Sequence, residues 1–229
     1  MNRRLEVISG LIPNGTGFAD VGTDHGYLPL YMLENGYNGK VFASDINRRP
    51  LENAISSARA AGLEDRIRFS IFDGLDESIR DEIDTVVIAG MGGDTICGIL
   101  DRAELYMDKK YLLILQPMTK AEVLRYWLAY NEYVFLEERL VEDAGEIYQI
   151  FTARFGGNGN TRLKDAELFT GQYSLAVQNE LFPKRLSMLI KRFEKAINGM
   201  DGAKRAIGRR AINYEILQQL YKMRDGEFT

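Results

Sequence analysis

The sequence predicts an α/β fold: an open, mostly parallel sheet wound on both faces, followed by a helical segment of different character. Three observations carry this. Short apolar runs alternate with helical patterns through the first two-thirds of the chain. Two late apolar runs follow one another across a three-residue turn. Past a glycine-rich loop, the apolar spacing changes to a near-heptad repeat.

Taken in order, Phe18-Ala19-Asp20-Val21 reads as the first strand, ending at Gly22. Lys40 to Asp45 is the second, Arg66 to Ile71 the third, Asp84 to Ala89 the fourth and Tyr111 to Leu115 the fifth. Helical patterns separate them at Leu28 to Asn35, Arg49 to Ala61, Asp94 to Leu100 and Lys120 to Tyr130. Strands this apolar, with helices between, form βαβ units whose sheet is covered on both faces. Tyr133 to Glu142 and Glu146 to Arg154, joined by Asp143-Ala144-Gly145, read as a hairpin, so the sheet ends on an antiparallel pair. Gly156-Gly157-Asn158-Gly159-Asn160 carries turn chemistry at nearly every position and divides the chain into residues 1–157 and 158–229. In the second part, Phe182, Leu186, Leu189, Phe193, Ile197 and Met200 make one helical stripe. Ile207, Ala211, Tyr214, Leu217 and Tyr221 make another, with Met200-Asp201-Gly202 as the turn. Two antiparallel helices zipped along those stripes are the simplest arrangement.

Composition bounds the function. The 229 residues are 45% apolar and 27% charged, which excludes collagen, low complexity and disorder. One cysteine, Cys97, and one histidine, His25, exclude an internal disulfide and a histidine-pair metal site. Cys97 and Trp127 read as core residues. No run approaches the ~20 apolar residues of a membrane span, and with no leader pattern the expected location is the cytoplasm. The charge is uneven. Residues 1–157 hold 16 Lys and Arg against 25 Asp and Glu, a net of −9; residues 158–229 hold 13 against 8, a net of +5. Lys184, Arg185, Lys191, Arg192 and Lys195 lie on the wet face of the first late helix. Lys204, Arg205, Arg209 and Arg210 lie on that of the second. Such a face is either merely solvated or meets phosphates.

The chemistry concentrates at strand ends, where doubly wound sheets bind ligands. The first loop, Asp20-Val21-Gly22-Thr23-Asp24-His25-Gly26-Tyr27-Leu28-Pro29, is D-x-G-x-D-x-G and not the G-x-G-x-x-G of a dinucleotide site. Asp20 and Asp24 would repel a pyrophosphate but attract the amino group and sulfonium of S-adenosylmethionine. Gly22 and Gly26 let backbone approach a ligand closely. Asp45, at the end of the second strand, is placed to take both ribose hydroxyls. Asp73-Gly74, after the third, is placed to accept from an adenine amine. Ala89-Gly90-Met91-Gly92-Gly93-Asp94 is a tight turn opening a helix, and the fifth strand runs into Gln116-Pro117-Met118. His25 reads as a loop residue bonded to backbone more readily than as an acid or base.

These motifs, in this order, resemble the bacterial TrmK family of S-adenosylmethionine-dependent tRNA (adenine-N1)-methyltransferases, which modify the adenine at position 22. The resemblance covers essentially the whole chain, with Gly26 where the family often has Ala and Met118 where it often has Asn. It implies a Rossmann-like class I methyltransferase domain with a C-terminal helical, coiled-coil domain. It also implies S-adenosylmethionine as cofactor, with no metal, and tRNA as partner; the oligomeric state, monomer or weak dimer, stays open. The cofactor site is then Asp20, Gly22, Thr23, His25, Gly26, Asp45, Ile46, Asp73, Gly74, Ala89 and Gly90. The product adenine is cationic, so a carboxylate beside it would stabilise developing charge; Asp24 is the first candidate and Asp94 the second. Tyr27, Met91, Gly92, Gln116, Pro117 and Met118 would surround the target base. Lys184, Arg185, Lys191, Arg192, Arg205 and Arg209 would meet tRNA phosphates.

Overall fold

A computed structural model describes residues 3–103, 108–157, 162–199 and 207–229. The expected turns at Asn158-Gly159-Asn160 and Met200-Asp201-Gly202, and the expected basic residues Lys204 and Arg205, lie outside the described residues, as does the side chain of Ile207.

Seven strands form one sheet in the order β3-β2-β1-β4-β5-β7-β6. They are β1 (Phe18–Val21), β2 (Val41–Asp45), β3 (Ile67–Ile71), β4 (Thr85–Gly92), β5 (Leu112–Thr119), β6 (Tyr133–Asp143) and β7 (Glu146–Phe155). The first five are parallel neighbours, and β7 joins β5 antiparallel and pairs with β6 as a hairpin. The hairpin closes on Ala144 and Gly145, both with positive φ, the conformation a two-residue turn between right-twisted strands requires. The chain reverses direction across the sheet between β1 and β4, and a crevice opens there at the strands' carboxyl ends.

Helices α2 (Tyr27–Glu34), α3 (Arg48–Ala60), α4 (Gly93–Arg102) and α5 (Ala121–Tyr130) fall where the sequence patterns put them. An N-terminal helix, α1 (Arg3–Ser9), was not expected from composition; its signal is the helical spacing of Leu5, Ile8 and Ile12, the last two buried. Two apolar clusters cover the sheet. One includes Ile88, Ile96, Leu100, Leu113 and Leu124; the other includes Ile8, Phe18, Leu28, Val87 and Ile114. Strand β4 runs longer than the sequence suggests. Met91 and Gly92 stay paired with β5 through two register shifts, because Gly90, skipped in the pairing, takes φ 81° and absorbs the first irregularity.

Beyond β7 lie α6 (Asp165–Thr170), α7 (Tyr173–Ala176), α8 (Phe182–Asn198) and α9 (Ile207–Asp225). The first late stripe packs as predicted: Phe182, Leu186, Leu189, Phe193 and Ile197 are all buried. The second requires correction. Ala211 and Tyr214 are exposed, and the buried residues of α9 are Ile216, Leu217, Leu220 and Met223. The register explains this. The Tyr221 hydroxyl donates to Glu194 near the end of α8, so residues before about Ile216 lie beyond the end of that helix at Asn198.

The late helices are tied to the sheet through a buried ion pair. The Arg125 guanidinium donates to Glu138 Oε2 at 2.7 Å, to Gln149 Oε1 at 3.0 Å and to the Leu168 carbonyl at 3.0 Å. Glu138 Oε1 accepts the Gln172 N–H at 2.8 Å. Two opposite charges are thus buried with their hydrogen-bonding capacity shared among β6, β7, α5 and the α6–α7 segment.

Candidate functional site

A cavity of about 270 Å³ opens where β1 and β4 diverge. Asp20, Gly22, Thr23, Asp24, Tyr27, Ala89, Gly90, Met91 and Met118 line it, so residues separated by almost a hundred positions meet as the sequence analysis expects. Arg4 and Leu5 of α1, outside the expected site, complete the wall. The only sequence signal for Arg4 is a pair of arginines at the start of an acidic body.

The floor is electrostatically unusual. Asp20 is buried, and its carboxylate accepts the Thr23 hydroxyl at 2.7 Å. Burial pushes its pKa up to about 6; the Thr23 hydrogen bond lowers it and the Asp45 charge raises it. Among the described residues no lysine, arginine or histidine pairs with it. This is a buried acid that lacks a cation. The loop geometry follows from its glycines. Gly22 has φ 74°, and a Cβ there would lie 1.9 Å from Met91 Cε. Gly26 has φ 71° and faces Ala54 of α3. Asp24 itself takes φ 52°, which Asp tolerates better than most residues. Its carboxylate projects toward solvent, 3.6 Å from His25 Nε2, and the His25 ring lies tilted against Tyr27 with centroids 5.4 Å apart.

Asp45 organises the first loop from the next strand. Its carboxylate accepts the Asn47 N–H at 2.8 Å and the Asp24 N–H at 3.3 Å. Beside it Ile46 is exposed, as are Ile71 and Phe72 at the end of β3, which places apolar side chains at two neighbouring strand ends.

Four expectations require correction. Asp73 does not share the cavity: it lies on a separate one of about 280 Å³ with Phe72 and Arg102, and its carboxylate accepts from Arg102 at 2.7 Å. Asp94 is ion-paired with Lys120 and is not among the cavity's lining residues. The Gln116 amide is not offered to a ligand. It is fully buried, its Oε1 accepts the Gly90 N–H at 3.1 Å, and its Nε2 donates to the Pro117 carbonyl at 3.0 Å. It braces the β4 irregularity. Arg185 is not on the wet face; it is largely buried beside the end of β5, while Lys191 and Arg209 are exposed and Lys184 pairs with Glu142 at 2.7 Å. Gly74 takes φ 105° behind Asp73, and Gly92 caps α4 beside Thr119, both outside the Asp20 cavity. Pro117 lies in a neighbouring cleft, on the far side of Met118. Cys97 is buried and burial pushes its thiol up to about 12, as suits a core residue and not a nucleophile.

Residues 1–151 match the model of a methyltransferase domain family. The chain belongs to this methyltransferase family. Among its relatives, the tRNA (adenine(22)-N(1))-methyltransferase of Bacillus subtilis (strain 168) is 35% identical over 156 residues, 68% of this chain and 66% of that protein. The crystal structure of the B. subtilis M1A22 tRNA methyltransferase TrmK superposes with a TM-score of 0.80 at 28% identity, covering 95% of this chain and 98% of that one. The M. capricolum TrmK in complex with the natural cofactor product S-adenosyl-homocysteine gives 0.78 at 27% identity, covering 99% and 97%. The likeness to both structures therefore includes the late helices that the family model leaves out.

Proposed function

We propose that the protein transfers a methyl group from S-adenosylmethionine to N1 of adenine 22 in tRNA. The observation that carries this is the unpaired, buried Asp20 beside Asp24 in a cavity whose other wall is Tyr27, Met91 and Met118. A cationic ligand with an amino group and a sulfonium fits a cavity that holds anions and no paired cation at its floor. The relatives' activity and the cofactor product bound to one of them agree with this reading.

When bound, the cofactor supplies a methyl carbon that the N1 lone pair takes as the carbon–sulfur bond breaks, its electrons staying on sulfur. The residues then have three tasks. Gly22 and Gly90 hold the β1 and β4 turns in positive φ and keep the cavity open to backbone contact. Asp45 fixes the Asp24 N–H, so that the Asp24 carboxylate stands at the cavity's edge where positive charge develops on the adenine ring. Tyr27 and Met118, both about half exposed, present apolar surface to a base that has left its helix, as methylation of a pairing nitrogen requires. Alignment and exclusion of water supply the remainder of the rate.

Mass spectrometry of both the nucleosides and the RNase fragments from tRNA incubated with the protein and labelled cofactor tests the reading. The expected product is labelled 1-methyladenosine at position 22. Label elsewhere, or none, refutes it.

A further inference from the structure

Next to the first cavity, and separated from it by Met118, lies a cleft of about 310 Å³ between the β5–α5 junction, β7 and helix α8. Arg185 and Arg192 face it from α8, and Tyr148 from β7. On the other side of this divide the Arg4 guanidinium sits over the Tyr148 ring at 5.2 Å, with Nη1 3.0 Å from Met118 Sδ.

The three arginines share a property. Among the described residues none has a carboxylate within ion-pairing distance, whereas Lys120, Arg125, Arg139 and Lys184 all do. The Nε atoms of Arg4 and Arg185 are buried with no hydrogen-bond partner at all. Burial, together with the charges of Arg125 and Arg192, pushes the Arg185 pKa down to about 10. Two acids, Glu122 and Glu146, also line the cleft, and Glu122 partly offsets the positive field at Arg185 without pairing with it. Guanidinium groups held this way, without a carboxylate partner among the described residues, are poised for an anion from outside.

We propose that this cleft holds a backbone phosphate of the target nucleotide, gripped by Arg185 and Arg192, while its base crosses the Met118 wall into the methyl-transfer cavity. Arg4, packed on Met118 and Tyr148, positions that wall from α1. The proposal rests on the tRNA reading above and adds the subsite that seats the extruded nucleotide. A phosphodiester flanking a base is the ligand whose charge and size suit two adjoining compartments, one basic and one apolar with acids. The site differs from a solvated basic face, because Arg4 and Arg185 are half-buried with their Nε atoms withdrawn from water, while Arg192 reaches the same cleft from the exposed side of α8.

The test pairs protein variants with altered RNA. Arg185→Gln and Arg192→Gln are each measured for kcat/KM on intact tRNA, and on tRNA assembled with a neutral methylphosphonate at the phosphate 5′ or 3′ of the target adenine. Loss of either arginine should lower kcat/KM on normal tRNA by about tenfold, the scale of a charge-assisted hydrogen bond. The neutral linkage should lower the wild type at least as much, and should lower each single variant by less than it lowers the wild type. Lys191→Gln, on the exposed face of α8, should stay within about twofold. Calorimetry with S-adenosylmethionine should give unchanged affinity in all variants. If Arg185→Gln fails to fold, Arg192→Gln carries the same test, since its side chain is exposed. Losses that multiply between arginine and phosphate, or variants as active as wild type, overturn the subsite while leaving the tRNA reading standing. A wild type that forms no 1-methyladenosine in tRNA refutes both.

Discussion

If Asp20 meets the cofactor, as proposed, binding should depend on pH, and the size of the effect follows from the burial of that carboxyl. Its pKa stands near 6 against an ordinary 3.8, so holding it ionised in the ligand-free protein costs about 3 kcal/mol. A group whose folded pKa is raised binds its proton more tightly folded than unfolded, so its contribution to stability falls as pH rises from about 4 to about 6 and is level above that. A cationic ligand placed against the carboxylate reverses the balance by stabilising the ionised form. At pH 5 about nine molecules in ten carry the proton and must release it to bind, so affinity for S-adenosylmethionine should rise about tenfold between pH 5 and pH 7 and then flatten. Calorimetry in buffers of different ionisation enthalpy should show close to one proton released at pH 5 and close to none at pH 7.5. Asp20→Asn should bind more weakly above pH 6, lose the pH dependence and release no proton. It should also be more stable than the wild type in the absence of ligand above pH 6, by up to about 3 kcal/mol, because the unfavourable buried charge is gone. His25→Gln is the control for the other side chain of the first loop, and should leave the pH dependence of the wild type in place. Affinity that is flat from pH 5 to 7 in the wild type, or the same slope in Asp20→Asn, would show that the acid is not what meets the ligand.

Three further outcomes are expected. Asp45→Ala should weaken S-adenosylmethionine binding by about 1–3 kcal/mol, because it removes a charged acceptor and frees the Asp24 and Asn47 N–H groups it holds; unchanged affinity in calorimetry would exclude Asp45 from the site. Asp24→Ala should lower single-turnover methylation by tenfold or more, about 1.4 kcal/mol, while tRNA affinity in a filter-binding assay stays within about twofold; equal losses in both would make it a binding residue. Glu138→Ala leaves the Arg125 guanidinium buried and uncompensated, and denaturant melts should show a loss of about 3–5 kcal/mol; a loss below about 1 kcal/mol would mean that water reaches the pair.

Strand positions, the hairpin and the acids at strand ends are legible in the sequence because they rest on local rules. Alternation of apolar runs with helical spacing, turn residues at Ala144-Gly145 and glycines that need positive φ are decided within a few residues of each other. The meeting of Asp20, Asp24, Met91 and Met118 is also legible, since parallel strands bring their carboxyl ends to one edge. What a polar side chain does at that edge depends on partners distant in sequence. Asp73 is occupied by Arg102, 29 residues on, and Asp94 by Lys120, 26 residues on. The Gln116 amide closes on Gly90. Of the expected α9 stripe Leu217 is buried, but Ala211 and Tyr214 are exposed and Ile216, Leu220 and Met223 are buried instead, because the offset between two helices is fixed by their mutual packing and not by either repeat. Arg4 reaches Met118, 114 positions away, only because α1 folds back over the crevice, and Arg185 leaves the wet face only because α8 is pressed against the sheet through Arg125 and the α6–α7 segment. Periodicity and turn chemistry are short-range and set the elements. Charge pairing and burial are long-range, and only the packed fold decides which acids and bases remain free to meet a ligand.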